Sequence, residues 1–433
     1  MIRWDFNNYY THNKDGLISK LKLSKTESSE LRSLRQIVRE RTRDVFKEAR
    51  ELAANVKKDM LSLENIRLKL TKTNVRYLSA SEQTEVARLI FEMDDEARDD
   101  FINLQPRFWT QGSFQYDTLN RPFHPGQEMD IDDGTYLPMT VFESEPRIGY
   151  TLLLLLVDTS LKSLQAENDG WLFEDKQTCG RIKIPSEKTH IDVPMYAIPK
   201  KQFQTKQTAA DSAHNIVELS AMFESASTED SRETYQVESD KVNLALRGGE
   251  KRWTISDPKI VEDWFNDSCE RIGGHLRLIC RFMKAWRDAQ WEVGGPSSIS
   301  LMTAVVNILN KEIHDGSNLT ETMKLVAKLL PDEFSRGLQS PDDTDEKLLF
   351  PAEQDQNVHQ RSIVNTMKNL HGILLDAECT NTRDEALLKI NKGFGQRVTN
   401  ASLITSIVAA PAFQVSPSKE PEPVKINKTM VSG

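Results

Sequence analysis

Residues 107–136 read RFWTQGSFQYDTLNRPFHPGQEMDIDDGTY, and two short motifs within them set the expectation for the fold. The first is Gly112-Ser113, which closes the apolar run from Phe108. The second is Met129-Asp130-Ile131-Asp132. In an extended chain, alternate side chains point to the same face. Asp130 and Asp132 should therefore project together, roughly 6–7 Å apart at their Cα atoms, while Met129 and Ile131 turn into a core. Two carboxylates fixed on one strand face suit Mg2+, a hard cation that takes oxygen ligands and substrate phosphates. Gly112 lets a polyphosphate approach the backbone, and Ser113 can donate to a phosphate oxygen.

Downstream, 148–167 reads as a buried helix, and 178–185 and 189–199 read as strands. Asp192 stands between Ile191 and Val193 in the second strand. A carboxylate in that apolar setting is costly unless something satisfies it, and a third place on a metal would do so. A Gly-Ser pair, two alternating acids and a later third acid suit nucleotidyl transfer, which needs in-line geometry and charge neutralisation more than covalent help. Two metals can activate the attacking hydroxyl and stabilise the leaving pyrophosphate.

Residues 1–20 read as irregular and aromatic-rich, 24–60 as a long helix capped by Ser24 or Thr26, and 82–103 as a second helix. Arg35, Arg39 and Arg43 share one face of the long helix. The polar, acidic 200–250 reads as an insertion. Helical order returns at 257–291, starting at Asp257-Pro258, and continues at 298–314 and 362–408, with a polar loop at 337–361. Residues 409–433 read as a disordered tail. The expected domains are a lobe over 1–256, a helical lobe over 257–408 and the tail.

The 433 residues carry a net charge of −9, which argues against generic nucleic-acid binding. The four cysteines, Cys179, Cys269, Cys280 and Cys379, have no metal-binding spacing and read as reduced thiols. No apolar signal region opens the chain, and its longest apolar run is too short for a bilayer. A cytoplasmic location with no membrane or stable nucleic-acid partner is expected.

The segments GSFQYDT, EMDIDDGTY, THIDVPMYAIP and FMKAWRDAQWEVGGPSSISL resemble the bacterial cyclic-dinucleotide synthases related to animal cyclic GMP-AMP synthase (the CD-NTase family). The resemblance runs from Tyr9-Tyr10 to the TMVSG terminus. It implies an α+β, bilobed polymerase-beta-type nucleotidyltransferase core, a mixed sheet with helices, plus an α-helical C-terminal lobe. The implied activity joins ATP and GTP into cyclic GMP-AMP, a second messenger in anti-phage signalling. Asp130, Asp132 and Asp192 would be catalytic and would hold two Mg2+ ions, with Mn2+ as a substitute. Gln111, Gly112, Ser113, Tyr116, Arg181, Lys284, Ser298 and Asp345 would bind nucleotide, with Tyr116 stacking on a base and Asp345 reading a guanine edge. Arg35, Arg39, Arg43, Arg107, Trp109 and Lys259 would form a pocket for a folate-type inhibitor. Gly433 would be the conjugation site for a ubiquitin-ligation-like E1/E2 partner. A template-independent RNA nucleotidyltransferase is the alternative within the fold, and a non-catalytic binding module is a third reading.

Overall fold

The computed structural model describes residues 3–139, 141–142, 145–146, 149–199, 242–248, 252–342 and 348–407. Asp345, Gly433, the 409–433 tail and most of the 200–250 insertion lie outside the described residues. Strands and helices are numbered below in chain order.

β3 (Met129–Met139) is the spine of an eight-stranded mixed sheet. Antiparallel β2 (Arg107–Gln111) takes one of its edges. Asp132 pairs with Gln111 on that edge and with Asp192 on the other, and Thr135 likewise faces both Phe108 and Met195. β8 (Thr189–Val193) and β9 (Met195–Pro199) therefore run along the same edge of β3, parallel to it, as one line broken at Pro194. Proline has no N–H for the ladder, but its carbonyl still accepts from Thr135 N–H at 2.8 Å. The expected strand 189–199 is present as these two pieces. Antiparallel β7 (Gly180–Ile184) and β6 (Leu172–Asp175) extend the sheet beyond β8. β10 (Asn243–Ala245) and β11 (Trp253–Ile255) extend it beyond β9, so part of the expected insertion is sheet.

The back of the sheet is covered by α3 (Lys25–Lys58) and α8 (Tyr150–Glu167). Val38, Val45 and Phe46 of α3 and Leu153, Leu156 and Val157 of α8 form one core with Ile131, Ile182 and Ile191 of the strands. Ser24 caps α3. Its hydroxyl accepts from Glu27 N–H at 3.1 Å, and the Glu27 carboxylate accepts from Ser24 N–H at 2.6 Å, a capping box. The helix expected over 82–103 is two, α5 (Ala80–Glu92) and α6 (Asp95–Ile102). Asp94 divides them by accepting from Ala97 N–H at 2.8 Å.

A second core belongs to α9 (Pro258–Ile272), α10 (His275–Gln290), α11 (Ser298–Lys311), α12 (Leu319–Arg336), α13 (Val358–Glu378) and α14 (Arg383–Phe394). Gly273, at φ +117°, separates α9 from α10 where one helix was expected. α12 had no counterpart in the sequence reading. The two cores give the chain a bilobed α+β architecture.

The first twenty-odd residues depart from expectation. β1 (Arg3–Asp5), α1 (Asn7–Thr11) and α2 (Leu17–Leu21) are ordered and pack into the helical core. Tyr9 and Tyr10 are fully buried beside Phe282 and Phe394, and large aromatic side chains of this kind dominate core energetics. β1 also pairs with β12 (Thr405–Ile407). A boundary at 256 therefore does not describe these residues, whose packing places them with the C-terminal half.

Candidate active site

The strand register builds the site. Residues opposite one another across strands share a face, so Asp130 faces with His190, and Asp132 with Asp192 and Gln111. The alternate residues Ile131, Ile191 and Ile182 are fully buried on the other face. This hydrophobic alternation fixes the register, because a one-residue slip would bury the acids and expose the isoleucines.

Asp192 is held by Arg181, whose Nε and Nη2 donate to its two carboxylate oxygens at 2.6 and 2.8 Å. The hydrogen bond to Asp192 raises the Arg181 guanidinium above its ordinary value. Cys179, buried and beside Asp192, is pushed up to about 12, first by burial and then by that carboxylate. His190 Nδ1 lies 2.9 Å from Glu128 and its Nε2 lies 3.0 Å from Asp130 Oδ1. Both Nε2 and Oδ1 are buried in a poorly aligned contact that satisfies neither. Burial opposes charge on Asp130, but His190, Arg181 and Lys284 outweigh it and hold the carboxyl below its usual value. Asp132 has no hydrogen bond or ion pair among the described residues. Burial, followed by Asp130 and Asp192, pushes it well above the ordinary carboxylate value.

Asp130, His190 and Asp192 each offer a ligand atom within 4.8 Å of the others, the one such cluster among the described residues. With Asp132 beside them, this set of mainly carboxylate oxygens and an orphaned Asp130 oxygen fits a divalent cation. His190 was missed in the sequence reading. It stands two residues before Asp192, so the same alternation that links Asp130 to Asp132 would have placed it in the site.

Gly112 opens the short helix α7 (Gly112–Gln115) at φ +65°. A Cβ there would lie 2.0 Å from Asp132 Oδ2, so both the backbone angle and the carboxylate require glycine. Ser113 lines a cleft of about 280 Å3 with Asp130 and His190 from the sheet lobe and Lys284, Arg287, Asp288 and Ser298 from the helical lobe. Ser298 opens α11 behind its cap Ser297, and its hydroxyl accepts from Arg287 at 2.9 Å. Lys284 is 3% exposed and donates to Thr118 O at 2.8 Å. Burial, followed by Arg287, lowers its amine to about 7. Arg287, another residue the sequence reading missed, had no marker beyond its place one helical turn after Lys284.

Two residues expected at the nucleotide have partners within the protein. Both ends of the Gln111 amide are used, donating to Tyr136 Oη at 2.9 Å and accepting from Tyr196 Oη at 3.2 Å. Tyr116 is 7% exposed and packs against Phe265, with ring centroids 5.8 Å apart.

The arginine stripe lies at edge strand β2. Arg35 and Arg39 reach Thr110, Arg39 grips Asp133, and Arg43 stacks over Phe108 at 4.9 Å. Trp109 turns to the opposite face, where its indole donates to Glu262 at 3.1 Å and Lys259 lies 5.9 Å above its ring. Arg107, at the outer end of β2, is exposed and bears electrostatically on Arg43.

A mixed sheet carrying paired acids after a Gly-Ser turn, closed by a helical lobe, defines a nucleotidyltransferase. Two family models match: the cyclic GMP-AMP synthase DncV-like nucleotidyltransferase domain over 106–196, and the cyclic GMP-AMP synthase C-terminal domain over 273–407. A cyclic GMP-AMP synthase of Escherichia coli (strain TW11681) is 80% identical over 433 residues, all of both chains. The Vibrio cholerae di-nucleotide cyclase DncV in complex with GTP and 5MTHFGLU2 superposes at TM-score 0.87, with 59% identity over 94% of this chain and 100% of that one. The V. cholerae DncV complex with the linear intermediate 5′ pppA(3′,5′)pG gives TM-score 0.86, with 58% identity over 94% and 99%. The chain belongs to the cyclic GMP-AMP synthase family and is an enzyme.

Among the described residues, no helix is long and apolar enough to cross a membrane.

Proposed function

We propose that Asp130, Asp132 and Asp192 hold two Mg2+ ions, for which Mn2+ can substitute, and that the cleft above them joins ATP and GTP. As a cyclic GMP-AMP synthase the chain makes cyclic GMP-AMP, and the RNA-extending alternative is not favoured by its relatives. The observation that carries the reading is the register that sets Asp132 opposite Asp192 with Asp130 on the same face. Held by Asp130, Asp132 and Asp192, such ions would supply charge neutralisation and would activate the attacking hydroxyl. The protein's part is to aim the carboxylates and handle phosphate. Gly112 leaves room at Asp132, Ser113 and Ser298 offer hydroxyls, and Lys284 and Arg287 bring positive charge from the helical lobe. Arg181 neutralises Asp192 in the free enzyme and turns to phosphate when the acids are engaged. Asp345 would read guanine and Tyr116 would back a base.

The arginine stripe with Arg107 is assigned to a folate-type inhibitor, and Trp109 with Lys259, expected beside it, lies on the opposite face of β2. The V. cholerae complex with 5MTHFGLU2, a folate derivative, supports this assignment. Its exposed rim and crowded guanidinium groups suit a polyglutamate. The product would serve anti-phage signalling in the cytoplasm, and Gly433 would join an E1/E2-type conjugation partner.

Incubation with ATP, GTP and Mg2+ followed by chromatography tests the reading. Wild-type protein should yield cyclic GMP-AMP, and the Asp130→Ala, Asp132→Ala double variant should yield none while keeping its circular dichroism. If wild type yields no cyclic dinucleotide, with or without added folate, the reading fails.

A further inference from the structure

β2 and β3 carry unlike chemistry on their two faces. Gln111 and Asp132 pair in register on the face that carries Asp130 and Asp192, and the next pair, Thr110 and Asp133, turns to α3. Asp133 is 1% exposed. Arg39 grips it with two donors, Nε at 2.7 Å and Nη2 at 2.5 Å. The Thr110 hydroxyl donates to Asp133 at 3.0 Å and accepts from Arg39 at 2.9 Å and from Arg35 at 2.5 Å. The mechanism uses none of these groups.

We propose that Arg39, Asp133 and Thr110 form a positioning clamp that sets the catalytic segment of β2 and β3, and that an anion on the arginine stripe acts by drawing Arg39 out of it. Asp133 follows Asp132 directly, and Gln111-Gly112 follows Thr110, so a shift of the clamped pair moves both the metal acid and the glycine turn. There is no slack between those two, because the space of a Gly112 Cβ is already taken by the Asp132 carboxylate. A displacement of about 1 Å at a reacting group can cost about 100-fold in rate.

The stripe has cationic capacity to spare. Arg35 Nε is buried without a partner. Burial, followed by crowding from Arg39, lowers the guanidinium groups of Arg35 and Arg43. An arriving polyanion would relieve that crowding, and Arg39 is the member already committed elsewhere. Its departure leaves Asp133 as a buried charge without its cation, which is strongly unfavourable. The anion and the clamp therefore compete for one guanidinium. This second half rests on the inhibitor reading of the stripe; the positioning half does not.

Asp133→Asn in the full-length protein separates the roles. Two readouts are needed: product formation from ATP and GTP without inhibitor, and calorimetric affinity for diglutamyl 5-methyltetrahydrofolate. The expected result is a kcat lowered about tenfold or more with KM for both nucleotides within about twofold, together with folate binding tighter by about threefold or more, because Arg39 is no longer held. A merely structural residue would weaken both. A kcat within about twofold of wild type overturns the clamp. Unchanged or weaker folate binding by the variant overturns the competition. Thr110→Val keeps both charges and should lower kcat by about three- to tenfold, so it carries the test if Asp133→Asn does not fold. Wild-type protein that fails to bind the folate sinks the competition together with the inhibitor reading, and the kcat arm still judges the clamp.

Discussion

Asp132 and Asp133 are neighbours in one strand, and they differ in almost everything a carboxylate can differ in. Asp133 faces α3 and has Arg39 and the Thr110 hydroxyl as partners. Asp132 shares the face of Asp130 and Asp192, has like charges for company, and its carboxylate has no hydrogen bond or ion pair among the described residues. A buried charge normally finds a partner because desolvation is expensive. The paired acid is therefore satisfied within the chain, and the unpaired one would be satisfied by a cation from outside it. The contrast marks Asp132 as the acid that the proposed metal ions would satisfy.

The largest expected effects come from breaking the contrast directly. Asp132→Asn should lower product formation about 1000-fold or more, because the metal contact proposed for it would supply several kcal/mol of charge stabilisation. The same substitution should stabilise the metal-free enzyme by about 1–3 kcal/mol, since it removes a repelled buried charge. Asp133→Asn should instead destabilise it, by about 2–4 kcal/mol, because Arg39 loses its partner. Urea denaturation in EDTA would measure both, and equal signs would collapse the distinction.

A smaller effect should follow at His190, which stands between Glu128 and Asp130. His190→Gln should raise the half-saturating Mg2+ concentration about 10–100-fold, with nucleotide KM nearly unchanged. Titration of activity against Mg2+ would check this.

The smallest expected signal concerns Lys284, lowered to about 7 by burial and then by Arg287. Its unfolded value is near 10.4, so the unfolded chain binds more protons across that window. Stability should therefore rise with pH from about 7 to about 10, and the penalty is fully present below about 7. A bound triphosphate restores the ammonium form, so nucleotide binding near pH 8 should take up a proton. Calorimetry in buffers of different ionisation heat should detect the uptake in wild type and lose it in Lys284→Met.

Much of the site was legible because it rests on local alternation. Met129-Asp130-Ile131-Asp132 announced its two faces, and Asp192 between two apolar residues announced the third acid. His190 obeys the same rule and could have been read. Asp133 was hidden because its partner Arg39 lies 94 residues away, and no local pattern links them. The same holds for Tyr9 and Tyr10, whose aromatic character showed in sequence but whose burial against Phe282 and Phe394 did not. Helix interruptions at Asp94 and Gly273 were written in cap and left-handed residues yet were overrun by continuing apolar periodicity. The resemblance implied a phosphate contact at Gln111, and only the fold brings Tyr136 and Tyr196 to its amide.

Anomalous diffraction from crystals soaked with Mn2+ and non-reacting ATP and GTP analogues tests the central claim most directly. The account predicts two peaks, each touching Asp130 and Asp132, one of them also touching Asp192, with Arg181 turned away from that carboxylate. A single peak held by Asp130, His190 and Asp192, with Asp132 left uncoordinated, would contradict it.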